Sequence, residues 1–400
     1  LDTDDGSEPA VVLVPGILGS HLRSAQQREW LVWYRVPGLT DRIAWDRPGV
    51  TEDGPLHQHY GELIDYLRET HYVLPSGYDW RAPLEDSAAQ LASRVTALLD
   101  QREDTGQPVR LLAHSMGGMV VRVMKLRHPD VWQRLMAHPD ARFVMLGTPN
   151  AGSWAPMAIC TGDDPFGQML ATLGGWLDDY GSRQVFAQFQ GLLDMSAGLN
   201  DPQHPLRDRA RWQALADLDE RAAQTSPWHA YDATGGLKTF YRWAIPAQAA
   251  LSRAARLRDE LDVQALALGD DAQRIQLVLG EARSTLCGVS VAAQGGVEYQ
   301  ATPHGDGRVT WQSAQLEGVR TFRVRAVHAD LPRERQYFAG YLQLLQGAAR
   351  PELPEHMPPA PRSAMAAQVV HWRGRPRDTA HAGLPDEAGD LPRGVWQTVP

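Results

Sequence analysis

The stretch "LLAHSMGGMVVR" (111–122) constrains the fold of this chain more than any other segment. Ser115 stands between an apolar run and a helical one, in the pattern A-H-S-M-G. That is one methyl away from G-x-S-x-G, in which a strand turns sharply into a helix and presents the serine hydroxyl at the apex. The turn strains the serine backbone and brings together the positions two before and two after it, where a large side chain would clash. Ala113 and Gly117 meet that requirement. Upstream, "PVRLLA" (108–113) is a short apolar run led by proline, suited to a strand buried on both faces. Downstream, Met116, Met119, Val120 and Met124 recur at helical spacing until Pro129 ends the run.

The segments around it extend the strand-turn-helix unit into a sheet. "AVVLVPGILGS" (10–20) reads as an apolar strand entering a Pro-Gly loop with a second glycine. In 59–81 a helix through Thr70 precedes a short strand at His71–Pro75 and a loop. "SAAQLASRVTALLDQR" (87–102) is an amphipathic helix with Leu91, Val95, Leu98 and Leu99 on one face, and "ARFVMLGTPNAGSW" (141–154) is the next core strand and its loop. This β-α-β order predicts a parallel sheet. From about Trp154 to Leu261, helical segments rich in Leu, Trp and Phe alternate with Gly, Pro and Asp turns, the pattern of an inserted helical cap. Strand character is expected to return at 284–291, 308–311 and 322–330, and 332–347 reads as a closing helix. The expected class is α/β, a mostly parallel doubly wound sheet with a helical cap. Residues 1–153 and 262–350 form the core, 154–261 the cap, and 351–400 a Pro-rich linker or surface wrap.

Bulk properties narrow the partners. The 400 residues are 43% hydrophobic, enough for a large core, and contain no uninterrupted apolar stretch near the length of a membrane span. A net charge of −9 without a basic run excludes a nucleic-acid partner, because phosphate binding needs clustered Lys and Arg. Cys160 and Cys287 are too few for a disulfide framework or a cysteine metal site and leave one bridge open. The acidic opening "LDTDDGSEP" has no signal-peptide apolar region; a soluble chain is expected, with a cytoplasmic compartment favoured and an excised piece of a longer product also fitting.

For Ser115 to act as a nucleophile it needs an acid and then a histidine further along the chain, each on a loop after a core strand, which is the order of the α/β-hydrolase fold. Among fourteen histidines, His328 closes the alternating run "FRVRAV" just before the last helix; His114 lies inside the turn, expected to point away from the serine, and His304 sits beside the candidate acid. That acid is Asp306 in "PHGDGRVTW", with Asp330 and Glu317 as alternatives. The loop after the first strand and the residue after the nucleophile would supply the oxyanion amides, here Ile17 and Met116. Trp154, Trp176, Phe186 and Phe189 of the cap, with Phe166 and Trp243, look exposed and suited to an acyl groove or a lipid surface. No cofactor or metal is expected.

"VPGILGS", "GYDWR" followed by "AP", "AHSMGG", "GTPNAGS" and "HGDGRV", in that order, resemble the lecithin:cholesterol acyltransferase-like branch of the α/β-hydrolases, which includes lysosomal phospholipase A2 and phospholipid:diacylglycerol acyltransferases. The resemblance covers about 10–160 and 284–347, and "GYDWRAP" is its most branch-specific part, since the elbow is also similar to that of small bacterial lipases. It implies a Ser115, Asp306 and His328 triad with Ile17 and Met116 as oxyanion donors. The chain lacks the disulfide framework of the secreted animal members. The expected activity is a serine-dependent lipid acyl hydrolase or acyltransferase acting through a Ser115 acyl-enzyme on a lipid or other hydrophobic ester, at a membrane surface or free of one. The alternatives are a small-ester carboxylesterase and a non-catalytic hydrolase-fold binding domain of a larger effector protein.

Overall fold

Apolar runs too short for helices and rich in Val, Leu and Ile become the strands that carry the core. A computed structural model describes residues 4–25, 27–30, 38–164, 179–224, 242–293 and 295–356. In chain order its strands are β1 (Ala10–Val14), β2 (Ser20–Arg23), β3 (Arg28–Trp30), β4 (Thr51–Pro55), β5 (Tyr72–Pro75), β6 (Val109–His114), β7 (Phe143–Leu146), β8 (Ile275–Leu279), β9 (Thr285–Val291), β10 (Val297–Thr302) and β11 (Arg320–Arg323).

Six of them form the central sheet in the order β11-β8-β7-β6-β1-β5, every pairing parallel. Alternate residues feed opposite layers. Ala10, Val12, Val14, Leu111 and Ala113 join the layer of Leu91, Val95, Met119 and Val120 from the helices Leu84–Gln101 and Met116–Arg127. Val11, Leu13, Leu112 and Val144 join the layer of Tyr60, Leu63, Phe338 and Tyr341 from the helices His57–Leu67 and Phe338–Leu345. Both faces are therefore dry, which is why the strands read as continuous apolar runs. The chain winds outward from β1 to β5 and then crosses to β6 on the other side, so the crevice beyond the carboxyl ends of β1 and β6 is the topological switch point where such sheets hold their ligands.

Three features differ from the sequence expectations. The run "IQLVL" is a further buried strand, β8, between β7 and β11. The strand at 285–291 does not join the central sheet: it pairs antiparallel with β10, and Val289, Val297 and Tyr299 pack with Trp154, Leu206, Trp212 and Trp243 of the cap. The expected strand at 308–311 is a turn and the short helix Trp311–Ala314, because Asp306 Oδ1 accepts the amides of Arg308 (2.9 Å) and Val309 (2.7 Å), and Thr310 caps the helix by accepting the Ser313 amide. Residues 351–356 strap the edge of the sheet, with Leu353 buried, Arg323 N–H donating to Pro354 O and His356 N–H to Thr321 O. A separate small sheet has the order β3-β2-β4, with both pairings antiparallel.

Cys160 and Cys287 are both free thiols. Among the described residues no helix is long and apolar enough to cross a membrane, and no group of three or more His, Cys, Asp or Glu side chains converges as a metal site.

Candidate active site

β6 ends at His114 and the next helix starts at Met116, so Ser115 alone makes the turn, with φ 53° and ψ −125°. Glycine would adopt this conformation freely; a serine is held in it at a cost of about 1–3 kcal/mol supplied by the surrounding packing. The packing is tight because the loop after β1 lies directly against the turn. A Cβ on Gly117 would meet Pro15 O and Val14 O at 2.5 Å, and one on Gly16 would meet Ser115 Cβ at 3.0 Å. Ile17 thus follows a residue in contact with the serine, and the Met116 amide belongs to the first turn of its helix, whose N–H groups have no intrahelical acceptor.

His328 and Asp306 come from the other side of the sheet. His328 begins a 3-10 turn after β11, and Asp306 lies in the loop after β10. His328 Nε2 is 2.8 Å from Ser115 Oγ, and His328 Nδ1 is 2.8 Å from Asp306 Oδ2. A carboxylate only accepts, so Nδ1 carries the hydrogen and Nε2 presents its lone pair to the serine O–H, as a general base must. Asp306 is 2% exposed, and besides the two amides on Oδ1 its carbonyl accepts the His328 amide at 2.8 Å. The acid is locked by three hydrogen bonds to backbone amides before it meets the imidazole.

The alternatives lie elsewhere. Asp330 pairs with Arg333 at 3.4 Å, Glu317 is exposed, and His304 stacks near Trp311 with ring centroids 5.1 Å apart. His114 is not directed away from the site, as the sequence suggested: its ring lies 5.1 Å from that of His328, and its Nε2 is 3.0 Å from the His328 carbonyl oxygen. Burial and the neighbouring His328 and His59 hold the His114 imidazole well below the usual histidine range, and burial pushes His59 down to about 3. Both neighbours are thereby held as neutral imidazoles near pH 7.

The cap aromatics are packed rather than exposed. Phe189 meets Trp80 edge-on at 5.6 Å and Phe186 at the same distance, Trp154 packs over Gly198, and Trp243 stands 6.4 Å from Trp212. All four are buried side chains holding the cap together and seating it on the core, which corrects the expectation of an exposed aromatic groove. Trp176 and Phe166 lie outside the described residues. The cap touches the site through backbone: a Cβ on Gly191 would meet the Met116 methyl at 2.6 Å and Trp80 O at 2.5 Å. The segment "GYDWRAP" serves that junction. Arg81 is buried, bonded to Asp79 and to the carbonyls of Ile43 and Val50, and Trp80 Nε1 donates to Ser20 O.

Residues 33–173 match the family model of lecithin:cholesterol acyltransferase. The phosphatidylcholine-sterol acyltransferase of Rattus norvegicus is 29% identical over 140 residues, which is 33% of this chain and 30% of that protein. The chain thus matches less than a third of that relative's length. Among solved structures, the Tle4-Tli4 complex superposes with a TM-score of 0.56 at 13% identity, covering 85% of this chain and 99% of that one, which is a likeness of fold. The mature lipase BlEst2 of Bacillus licheniformis gives a TM-score of 0.35 at 13% identity, over 86% of this chain and 95% of that one. Sheet order, serine turn and these matches together give this chain an α/β-hydrolase fold, with residues 33–173 similar to lecithin:cholesterol acyltransferase.

Proposed function

We propose that the protein is a serine-dependent acyl hydrolase or acyltransferase for lipid esters, with Ser115 as nucleophile, His328 as general base and Asp306 as the acid that orients it. The observation that carries this reading is the continuous hydrogen-bonded line from Asp306 through His328 to Ser115, both links 2.8 Å, at the apex of a strained strand-to-helix turn.

The chemistry follows from the protonation states. As Ser115 Oγ attacks an ester carbonyl carbon, its proton passes to His328 Nε2, and Asp306 stabilises the imidazolium it has already oriented. The carbonyl oxygen becomes an oxyanion held by the Ile17 and Met116 amides. Collapse expels the alkoxide, which takes the proton from Nε2 and leaves an acyl-Ser115 ester. A second hydroxyl, from water or from an alcohol, then attacks that ester with His328 again as base, releasing a fatty acid in the first case and a new ester in the second. The lipid substrate rests on the family match over residues 33–173 and on the name of the rat relative.

The test is product analysis on phosphatidylcholine vesicles with and without a sterol or a long-chain alcohol. Free fatty acid and lysophospholipid support the hydrolase, and a new ester appearing with the acceptor supports acyl transfer. Turnover of p-nitrophenyl acetate with no product from any long-chain lipid ester refutes the lipid reading in favour of a small-ester carboxylesterase.

A further inference from the structure

Beside the line from Asp306 through His328 to Ser115 runs a second hydrogen-bonded line. Tyr60 Oη is 2.9 Å from the Gly16 amide nitrogen and 2.9 Å from His114 Nδ1, and His114 Nε2 is 3.0 Å from the carbonyl oxygen of His328. Tyr60 and His114 are both buried. The ends of the line and the neutrality of the buried His114 ring together fix the direction of every hydrogen, because an amide N–H only donates and a carbonyl only accepts. His114 therefore carries its hydrogen on Nε2 and gives it to His328 O; its Nδ1 lone pair takes the Tyr60 hydroxyl hydrogen; and Tyr60 Oη takes the Gly16 N–H. The reverse tautomer would set the Nε2 lone pair against the carbonyl oxygen and a second N–H against the tyrosine oxygen.

The line joins parts that the backbone does not hold together. Gly16 follows β1, whereas His328 follows β11 at the far edge of the sheet, with β6, β7 and β8 between those two strands. Each sits on a loop, the part of a fold with the least backbone support. The only strand end between them that carries Ser115 is β6, and His114 is its last residue.

We propose that Tyr60 and His114 form a buried positioning relay that holds the oxyanion loop at Gly16–Ile17 and the His328 backbone in one register about Ser115, and so sets turnover rather than substrate affinity. The proposal rests on the hydrolase reading above. Neither residue touches the reacting atoms. Both act through backbone groups, and because the line is continuous, breaking it at either residue uncouples the same two loops from each other.

The experiment measures kcat and KM on p-nitrophenyl butyrate for wild type, Tyr60→Phe, His114→Asn, the double variant, and His114→Gln, with thermal unfolding as a folding control. Misplacement of catalytic groups by about an ångström costs on the order of 100-fold, so each single variant is expected to lose roughly 10- to 100-fold in kcat with KM changed less than about threefold. The double variant should be no worse than the poorer single, the signature of residues that act as a unit. His114→Gln, whose longer amide reaches toward the His328 carbonyl, should recover part of the His114→Asn loss. Singles within about twofold of wild type in kcat, or a double variant whose loss is the product of the two, overturn the relay. A readout independent of substitution is the ¹⁵N spectrum of the wild-type histidines: His114 should be a neutral Nε2–H tautomer throughout pH 5–8, and an Nδ1–H form or a titration in that range overturns the relay. An inert wild type, or Ser115→Ala turning over as fast as wild type, overturns the hydrolase reading and the relay with it.

Discussion

A Cβ built on Gly147 would stand 2.9 Å from Asp306 Oδ2 and 3.1 Å from His328 Nδ1, the two atoms of the acid-base hydrogen bond. Gly147 directly follows β7 with φ +59°, a left-handed conformation that an L side chain adopts only with strain. The absence of a side chain at this position is what lets the acid and the base meet.

Gly147→Ala should therefore damage both stability and chemistry. The backbone strain costs about 1–3 kcal/mol of unfolding free energy. Displacing the pair should cost on the order of 100-fold in kcat with a smaller change in KM. Denaturant unfolding and steady-state kinetics on a p-nitrophenyl ester check the two parts separately.

Two aspartates flank the base, and they should respond differently. Asp306→Asn keeps the side-chain shape but removes the charge that fixes the His328 tautomer, a change that costs about ten thousandfold in a triad. Asp330→Asn touches a carboxylate that pairs with Arg333 in the 3-10 turn, and turnover should stay within about tenfold of wild type. Measuring both at neutral pH, with circular dichroism as a folding control, decides which carboxylate is the acid.

Asp194 predicts a pH signature in stability. Its carboxylate accepts the Leu84 amide (3.1 Å) and Gln190 Nε2 (2.7 Å), and burial, the largest influence, raises its pKa to about 7. In the unfolded chain it ionises near its ordinary value of 3.8. The stability it contributes as a neutral acid is full below that value and is lost as pH rises through about 7. Asp194→Asn stays neutral throughout. The melting temperature of the variant minus that of wild type should rise between pH 4 and pH 8, by the equivalent of a few kcal/mol, and level off above. A difference that is flat across this range contradicts the assignment.

Much of the candidate site is legible because its requirements are local. Ala113, Ser115 and Gly117 satisfy a steric rule within five residues, and order along the chain selects Asp306 and His328, which the structure brings into hydrogen-bonding line with Ser115. The sheet was legible where apolar runs alternate with amphipathic helices. It was misread where period alone had to decide partnership: 285–291 has strand character, but nothing in that pattern says that it pairs with β10 beside the cap rather than with β11. At 308–311 a strand-like sequence loses its ladder because Asp306 takes its amides. The link between Tyr60 and His114 is not legible in the sequence, since a bond between residues 54 apart leaves no local pattern. Trp154, Phe186 and Phe189 looked exposed because composition does not distinguish the core of a cap from its surface.

The central claim is that Ser115 is the nucleophile, and the most direct measurement is labelling of the native protein with a fluorophosphonate followed by peptide mass mapping. The account predicts one phosphonate per chain, on Ser115, with parallel loss of ester turnover, and neither labelling nor turnover in Ser115→Ala, where removal of the nucleophile costs on the order of a millionfold in kcat. Labelling at another residue, or ester turnover by Ser115→Ala within about tenfold of wild type, would contradict it.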